Sequence, residues 1–339
     1  MRPDQRPIGP RSLTPLLAVL ILAIAFPAFA KADSIAFVRG GDVWLATGDL
    51  ARDYRVTYTG GYSDVTQADD GTIVALHGVR LHRLSRTGEV LSDFDTPVSD
   101  TREAPAKTFY GPYEPQISPD GQRVAYSWFY LTQSQNSTCF PPTCVTTINE
   151  GGTGYSHPDR QTAWDEAGYR KHSGWLHTAW ADSATAVLSN PTHMPNADVV
   201  VDQPATREQA FMVQNWFSDA VDGNPHMGAG DVSRDKAKLV YLTGNDDSTL
   251  TVYRESAFPT AFKDGTADPS TRPDVCYRYS GPNGGRFSSP TFSPDGARVA
   301  VAEADGIHVV AVPSLTAGCT LTGASETTGP AVLPGGSTP

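Results

Sequence analysis

After residue 30 the chain has no apolar run approaching the ~20 residues that a membrane-spanning helix requires. It is also poor in positive charge, with 26 Lys and Arg against 37 Asp and Glu and a formal net charge of −11. An acidic surface with no basic stripe repels phosphate backbones, which excludes nucleic acid as a partner. Cysteine is scarce, and the four present have neither a CxxC spacing nor flanking His, so a zinc site is excluded. With 31 Gly and 27 Pro, few stretches hold a 3.6-residue period, and helices are not expected. Catalytic signatures are absent too: there is no GxSxG elbow, no HExxH and no EF-hand loop. "GGTGYSH" (151–157) fails the phosphate-cradling pattern at its third Gly.

What is present begins with an address. Arg2, Arg6 and Arg11 precede "LLAVLILAIAF" (16–26), then Pro27 and the small residues "AFA" before Lys31. This reads as a signal peptide over 1–30, followed by a single domain over 31–339 in a secreted or periplasmic protein. Cleavage removes three Arg and one Asp, taking the formal charge from −11 to −13. In an oxidising compartment the cysteines are expected to form two disulfides. Cys139–Cys144 would pin a loop, and Cys276–Cys319 would join the outer strands of the last two repeat units.

The repeat is the main signal. "SPDGQRVAYS" (118–127) and "SPDGARVAVA" (293–302) share a Ser-Pro-Asp-Gly turn followed by a short apolar strand. Weaker copies are "DDGTIVAL" (69–76), "ADSATAVLS" (181–189) and "SRDKAKLVYL" (233–242). The fourth turn position falls at 71, 121, 184, 236 and 296, with spacings of 50, 63, 52 and 60. "SIAFVRGGDVWLAT" (34–47) adds a sixth unit without a turn ahead of it. Short strands recurring with the same turn at the same phase predict an all-β, six-bladed β-propeller. Pro presets φ, Asp caps its own turn and Gly accepts positive φ, so the inner strand of each blade can reverse tightly.

"PQISPDGQRVAYS" and "PTFSPDGARVAVAEADGIHVVAV" resemble the TolB-type propeller repeat of exported bacterial proteins, a WD-type β-propeller family. The resemblance implies non-catalytic binding, through a channel face, of a protein or an envelope-derived ligand. It spans 34–322, which leaves no room for the N-terminal α/β domain that TolB itself carries. Unit one lacks its inner strand, so the tail, through "GPAVLP" (329–334), is expected to close the ring.

Aligning the units on the turn exposes two columns. Seven residues upstream stand Asp64, Glu114, His177, Ala229 and Ser289; ten upstream stand Gly61, Gly111, Gly174, His226 and Arg286. Asp64, Glu114, His177, His226 and Arg286 are therefore expected around one channel mouth, where they could hold a cationic group. No cofactor is expected, except that a divalent cation could sit in that ring. A hydrated polar funnel without a specific ligand is the plainer outcome. The alternative function is a metal-dependent propeller lyase or hydrolase acting on an acidic carbohydrate, using His177 and His226 with Asp64 or Glu114. It is prompted by metal-holding lyases of this repeat class. His172 and His177 would lie on opposite faces of a regular strand and could not chelate together unless a bulge intervened. A long insert near 131–172 accounts for the stretched third unit.

Overall fold

The computed structural model describes residues 34–94, 107–135, 145–156, 172–173, 176–189, 199–202, 214–217, 227–244, 246–255, 258–259, 273–281, 285–313, 315, 319 and 325–339. Cys139, Cys144, His226 and most of the insert lie outside them. Twenty-five strands and no helix occur among the described residues, and the strands form six sheets. The protein is an all-β, six-bladed propeller.

Blade one holds β1 (Ser34–Arg39), β2 (Asp42–Thr47) and β3 (Asp53–Arg55). Blade two holds β4 (Tyr62–Gln67), β5 (Ile73–His77), β6 (Arg80–Leu84) and β7 (Val90–Phe94). Blade three holds β8 (Lys107–Ile117), β9 (Val124–Gln135), β10 (Val145–Ser156) and β11 (His172–Ser173). Blade four holds β12 (Leu176–Trp180), β13 (Ala186–Ser189), β14 (Val199–Asp202) and β15 (Gln214–Phe217). Blade five holds β16 (Met227–Val232), β17 (Lys238–Thr243), β18 (Thr249–Arg254) and β19 (Asp274–Ser280). Blade six holds β20 (Ser288–Phe292), β21 (Arg298–Glu303) and β22 (Gly306–Ala311). The tail adds β23 (Ser325–Thr327), β24 (Leu333–Pro334) and β25 (Gly336–Ser337). Neighbouring strands within each blade are antiparallel, and β4, β8, β12, β16 and β20 face the channel.

The turn of the repeat is one hydrogen-bonded device used again and again. Ser118 Oγ donates to Asp120 Oδ1 at 2.6 Å, and Gln122 N donates to the same oxygen at 3.1 Å. Arg123 N then donates to Ser118 Oγ at 3.0 Å. Ser293 and Asp295 repeat the pattern, as do Ser233 and Asp235. The fourth turn residue has positive φ in each of these (Gly121 69°, Gly296 64°), and at the fifth blade Lys236 adopts φ 60° without being glycine. The two side-chain bonds fix the turn strongly enough to hold that strained residue.

Beyond the turn, the second strand of each blade is buried on both faces. Ile73, Val74 and Ala75 are fully buried, as are Val124, Ala125 and Tyr126. Six apolar clusters result, one at each blade-to-blade junction. They include Val74, Leu76 and Trp128 between blades two and three, and Val240, Val252 and Val299 between five and six. The junction of six with one, built on Phe37, Ala300, Ile307 and Leu333, completes the ring.

Closure uses the tail, with a division of labour that corrects the expectation from sequence. Within "GPAVLP", Leu333 and Pro334 form β24, the outer strand of blade six, pairing with Ile307 and Gly306. The inner strand of blade one is β25, in which Ser337 and Gly336 pair with Val38 and Arg39. Before reaching blade six the tail adds β23 in parallel to β19 of blade five. Cys276 of β19 is disulfide-bonded to Cys319 of the tail, so the bond ties the tail to blade five rather than joining two blade strands. It closes a loop of 43 residues in sequence separation. In the chain-entropy model such a loop contributes about 4 kcal/mol. Replacing both Cys276 and Cys319 by Ala is expected to lower unfolding stability by up to that amount in denaturant titrations; an unchanged midpoint would show that the clasp holds without it.

Candidate functional site

The inner strands of blades two to six each carry a break in register at nearly the same place. The irregularities fall between Tyr62 and Asp64, Tyr113 and Gln116, Leu176 and Ala179, Met227 and Gly230, and Ser288 and Thr291. The column seven residues before the turn thus lies in or directly beside a recurring β-bulge. Glu114, His177 and Ser289 hold positive φ there (49°, 47° and 49°), which re-aims the side chains relative to a regular pleat. A bulge is what sequence periodicity does not reveal.

The bulges of blades two, three and four bring Asp64, Glu114 and His177 together. His177 Nδ1 lies 2.7 Å from Glu114 Oε2. Ser127 Oγ donates to the same Glu114 oxygen at 3.2 Å and accepts from His177 N at 3.3 Å. Asp64 accepts hydrogen bonds from the backbone N–H of Val65 and of Glu114. Protein surrounds these carboxyl groups in the narrow channel, although water still reaches part of each side chain.

The two carboxyls titrate apart. Burial, reinforced by the negative charge of Glu114, pushes Asp64 up to about 8 despite the two N–H donors. Burial also acts to raise Glu114, but the charge and hydrogen bond of His177, with the Ser127 hydroxyl, outweigh it and hold Glu114 below the ordinary carboxylate value. Near neutral pH the cluster therefore comprises a protonated Asp64 beside an ionised Glu114. A cation placed between them would compete with the Asp64 proton.

The other expected members lie elsewhere. Arg286 is exposed, with Nη2 2.7 Å from Asp246 Oδ1 in the β17–β18 hairpin loop, and it does not join the three. His226 is outside the described residues. Ala229 and Ser289 occupy the bulges of blades five and six.

Two channel residues were missed from sequence. Asp231, five residues before its turn, accepts from Val232 N, Phe292 N and Thr291 Oγ1 at 2.8, 2.8 and 3.2 Å. Burial raises its pKa against the opposing pull of Arg234 and these donors. Arg234, in the turn of blade five, crosses to the turn of blade two, placing Nε 3.0 Å and Nη2 2.9 Å from Asp69 Oδ1. Blades two and five are opposite in a ring of six, so this ion pair spans the turn end of the channel. The signal for Asp231 was its parity with the bulge column, two residues further along the same strand face.

No family model and no curated protein matches the chain. Solved structures do resemble it in fold. The β-propeller domain of Cps50 (Swd1) from Myceliophteria thermophila is 10% identical over 83% of this chain and 80% of its own, with a TM-score of 0.47. Hydrazine synthase from Kuenenia stuttgartiensis is 9% identical over 83% and 93%, with a TM-score of 0.49. TolB from Acinetobacter baumannii is 14% identical over 82% of this chain and 60% of its own, with a TM-score of 0.48. The assignment of the fold stands on the six sheets and their closure.

The pKa of Asp64 yields a prediction about stability. The unfolded chain releases this proton in the ordinary carboxylate range, whereas the folded protein keeps it to about pH 8. The contribution of Asp64 is therefore full below that range and is lost as pH rises towards and through about 8. Asp64→Asn, which is neutral throughout, should flatten the fall in melting temperature between about pH 5 and pH 8. An equal fall in the parent protein and the variant would place the proton elsewhere.

Proposed function

We propose that the protein is an exported, non-catalytic β-propeller that binds a protein or envelope-derived ligand at the channel face through a cationic group. The carrying observation is the pair of carboxyls on adjacent inner strands, of which only Glu114 has an opposing partner in His177. Asp64 holds a proton that an incoming ammonium or guanidinium would displace. Export is supported by the signal-peptide pattern of residues 1–30 and by the Cys276–Cys319 disulfide, which together favour a secreted or periplasmic location. The Ser-Pro-Asp-Gly repeats support kinship with the TolB-type propellers.

The metal-dependent lyase or hydrolase reading would have His177 ligate a metal through Nε2 while Nδ1 stays on Glu114. Metal analysis of the purified protein tests it directly, since stoichiometric metal lost on replacing His177 would favour the enzyme.

Binding of a fluorescent tetra-arginine peptide, followed by anisotropy, tests the main reading. Affinity should rise with pH as Asp64 approaches and passes about 8, because the peptide then no longer competes with the proton. Asp64→Asn combined with Glu114→Gln should abolish both the rise and most of the binding. Peptide affinity that is unaffected by the pair of substitutions would mean that the acidic outer surface, and not the channel, takes up the peptide.

A further inference from the structure

The turn end of the channel holds a cavity of about 130 Å³, whose lining begins at Thr66 and Gln116, just beyond Asp64 and Glu114 on the same inner strands. Its walls mix Ile35 and Phe292 with Gln67, Gln116 and Asp231, beside the Arg234–Asp69 ion pair that spans this end. Gln67 is oriented by Ser34, whose Oγ donates to Oε1 at 3.0 Å, while the buried Nε2 of the same amide has no acceptor among the described residues. Among the described residues, no Lys, Arg or His makes an ion pair with Asp231, which accepts from two backbone N–H groups and a threonine hydroxyl.

We infer that this cavity is a second binding site, for one neutral, hydroxyl-rich molecule of hexose size, held by Gln67 and Asp231 between Ile35 and Phe292. A hydroxyl group can accept from the Gln67 amide and donate to the Asp231 carboxyl, so neighbouring hydroxyls on one ring satisfy both walls. The apolar side chains suit the C–H faces of such a ring. The lining sets Asp69 and Asp231 against Arg234 and Arg298, with Asp69 and Arg234 paired to each other, so no excess of either sign recruits an ion. The site does not depend on the cationic ligand proposed for Asp64 and Glu114.

The experiment is calorimetry and saturation-transfer NMR on the purified full chain with D-glucose, D-galactose and N-acetyl-D-glucosamine, against glucose 6-phosphate and glucosamine. At least one neutral sugar should bind in the millimolar range or tighter. Gln67→Leu, which removes the amide, and Ile35→Trp, which fills the cavity from the adjoining blade, should each weaken it about tenfold or more. Asp64→Asn should leave it unchanged. Thermal melting establishes that each variant is folded, and Ile35→Trp decides the matter if Gln67→Leu is not. Absence of neutral-sugar binding in that range, binding that survives the folded variants, or a preference for either charged analogue would overturn the inference.

Discussion

Ring closure is the constraint on which the rest of this structure depends. Each blade buries its second strand between two neighbours, so the apolar faces of blades six and one are satisfied only when those blades meet. The chain enters blade one at its second strand position, and the tail must return to provide both the outer strand of blade six and the inner strand of blade one. These two tail strands, β24 and β25, pair over just two residues each. The hold is therefore distributed, with β23 on blade five, the Cys276–Cys319 bond and the packing of Leu333 acting together. His308, fully buried, ties Nδ1 to Gly329 O at 2.9 Å and Nε2 to Asp305 Oδ1 at 2.7 Å, adding a polar anchor for the same segment.

Closure creates a narrow channel, and two repeated local devices furnish it. The Ser–Asp turn fixes where the inner strands of blades three, five and six end. The bulge seven residues earlier determines which side chains crowd together. Because the repeat places them at one height on neighbouring strands, Asp64 and Glu114 share a confined space although 50 residues separate them. Their titration differs because His177 is adjacent to Glu114 and because Ser127 adds a second donor to that carboxylate. Residue type alone would assign both the same behaviour.

The propeller was legible because its turn requires particular residues. Ser118-Pro-Asp-Gly and Ser293-Pro-Asp-Gly carry the hydrogen bonds in their own side chains, and even the degenerate copy at 233–236 retains the Ser and Asp that make them. The bulge has no such signature, since it is occupied by Asp64, Glu114, His177, Ala229 and Ser289 in turn. Alignment on the turn found the column, but not which members would meet. Arg286 belongs to a neighbouring column yet pairs outward with Asp246, because the loop after β17 presents a carboxylate on the surface side. The Arg234–Asp69 bridge joins residues 165 apart across the channel, and no periodicity foretells it.

By itself the sequence determined the all-β class, the number of blades, the phase of the turns and the pairing of Cys276 with Cys319. The class, the blade count and the turn phase follow from short-range chemistry: positive φ at a turn, a carboxylate that caps its own backbone, and strand lengths between turns. The tertiary structure decided how the tail divides itself between blades six and one, which polar groups face one another and where protons reside. Those outcomes depend on distances between strands far apart in the chain, and on the desolvation that arises only when six blades surround a common axis.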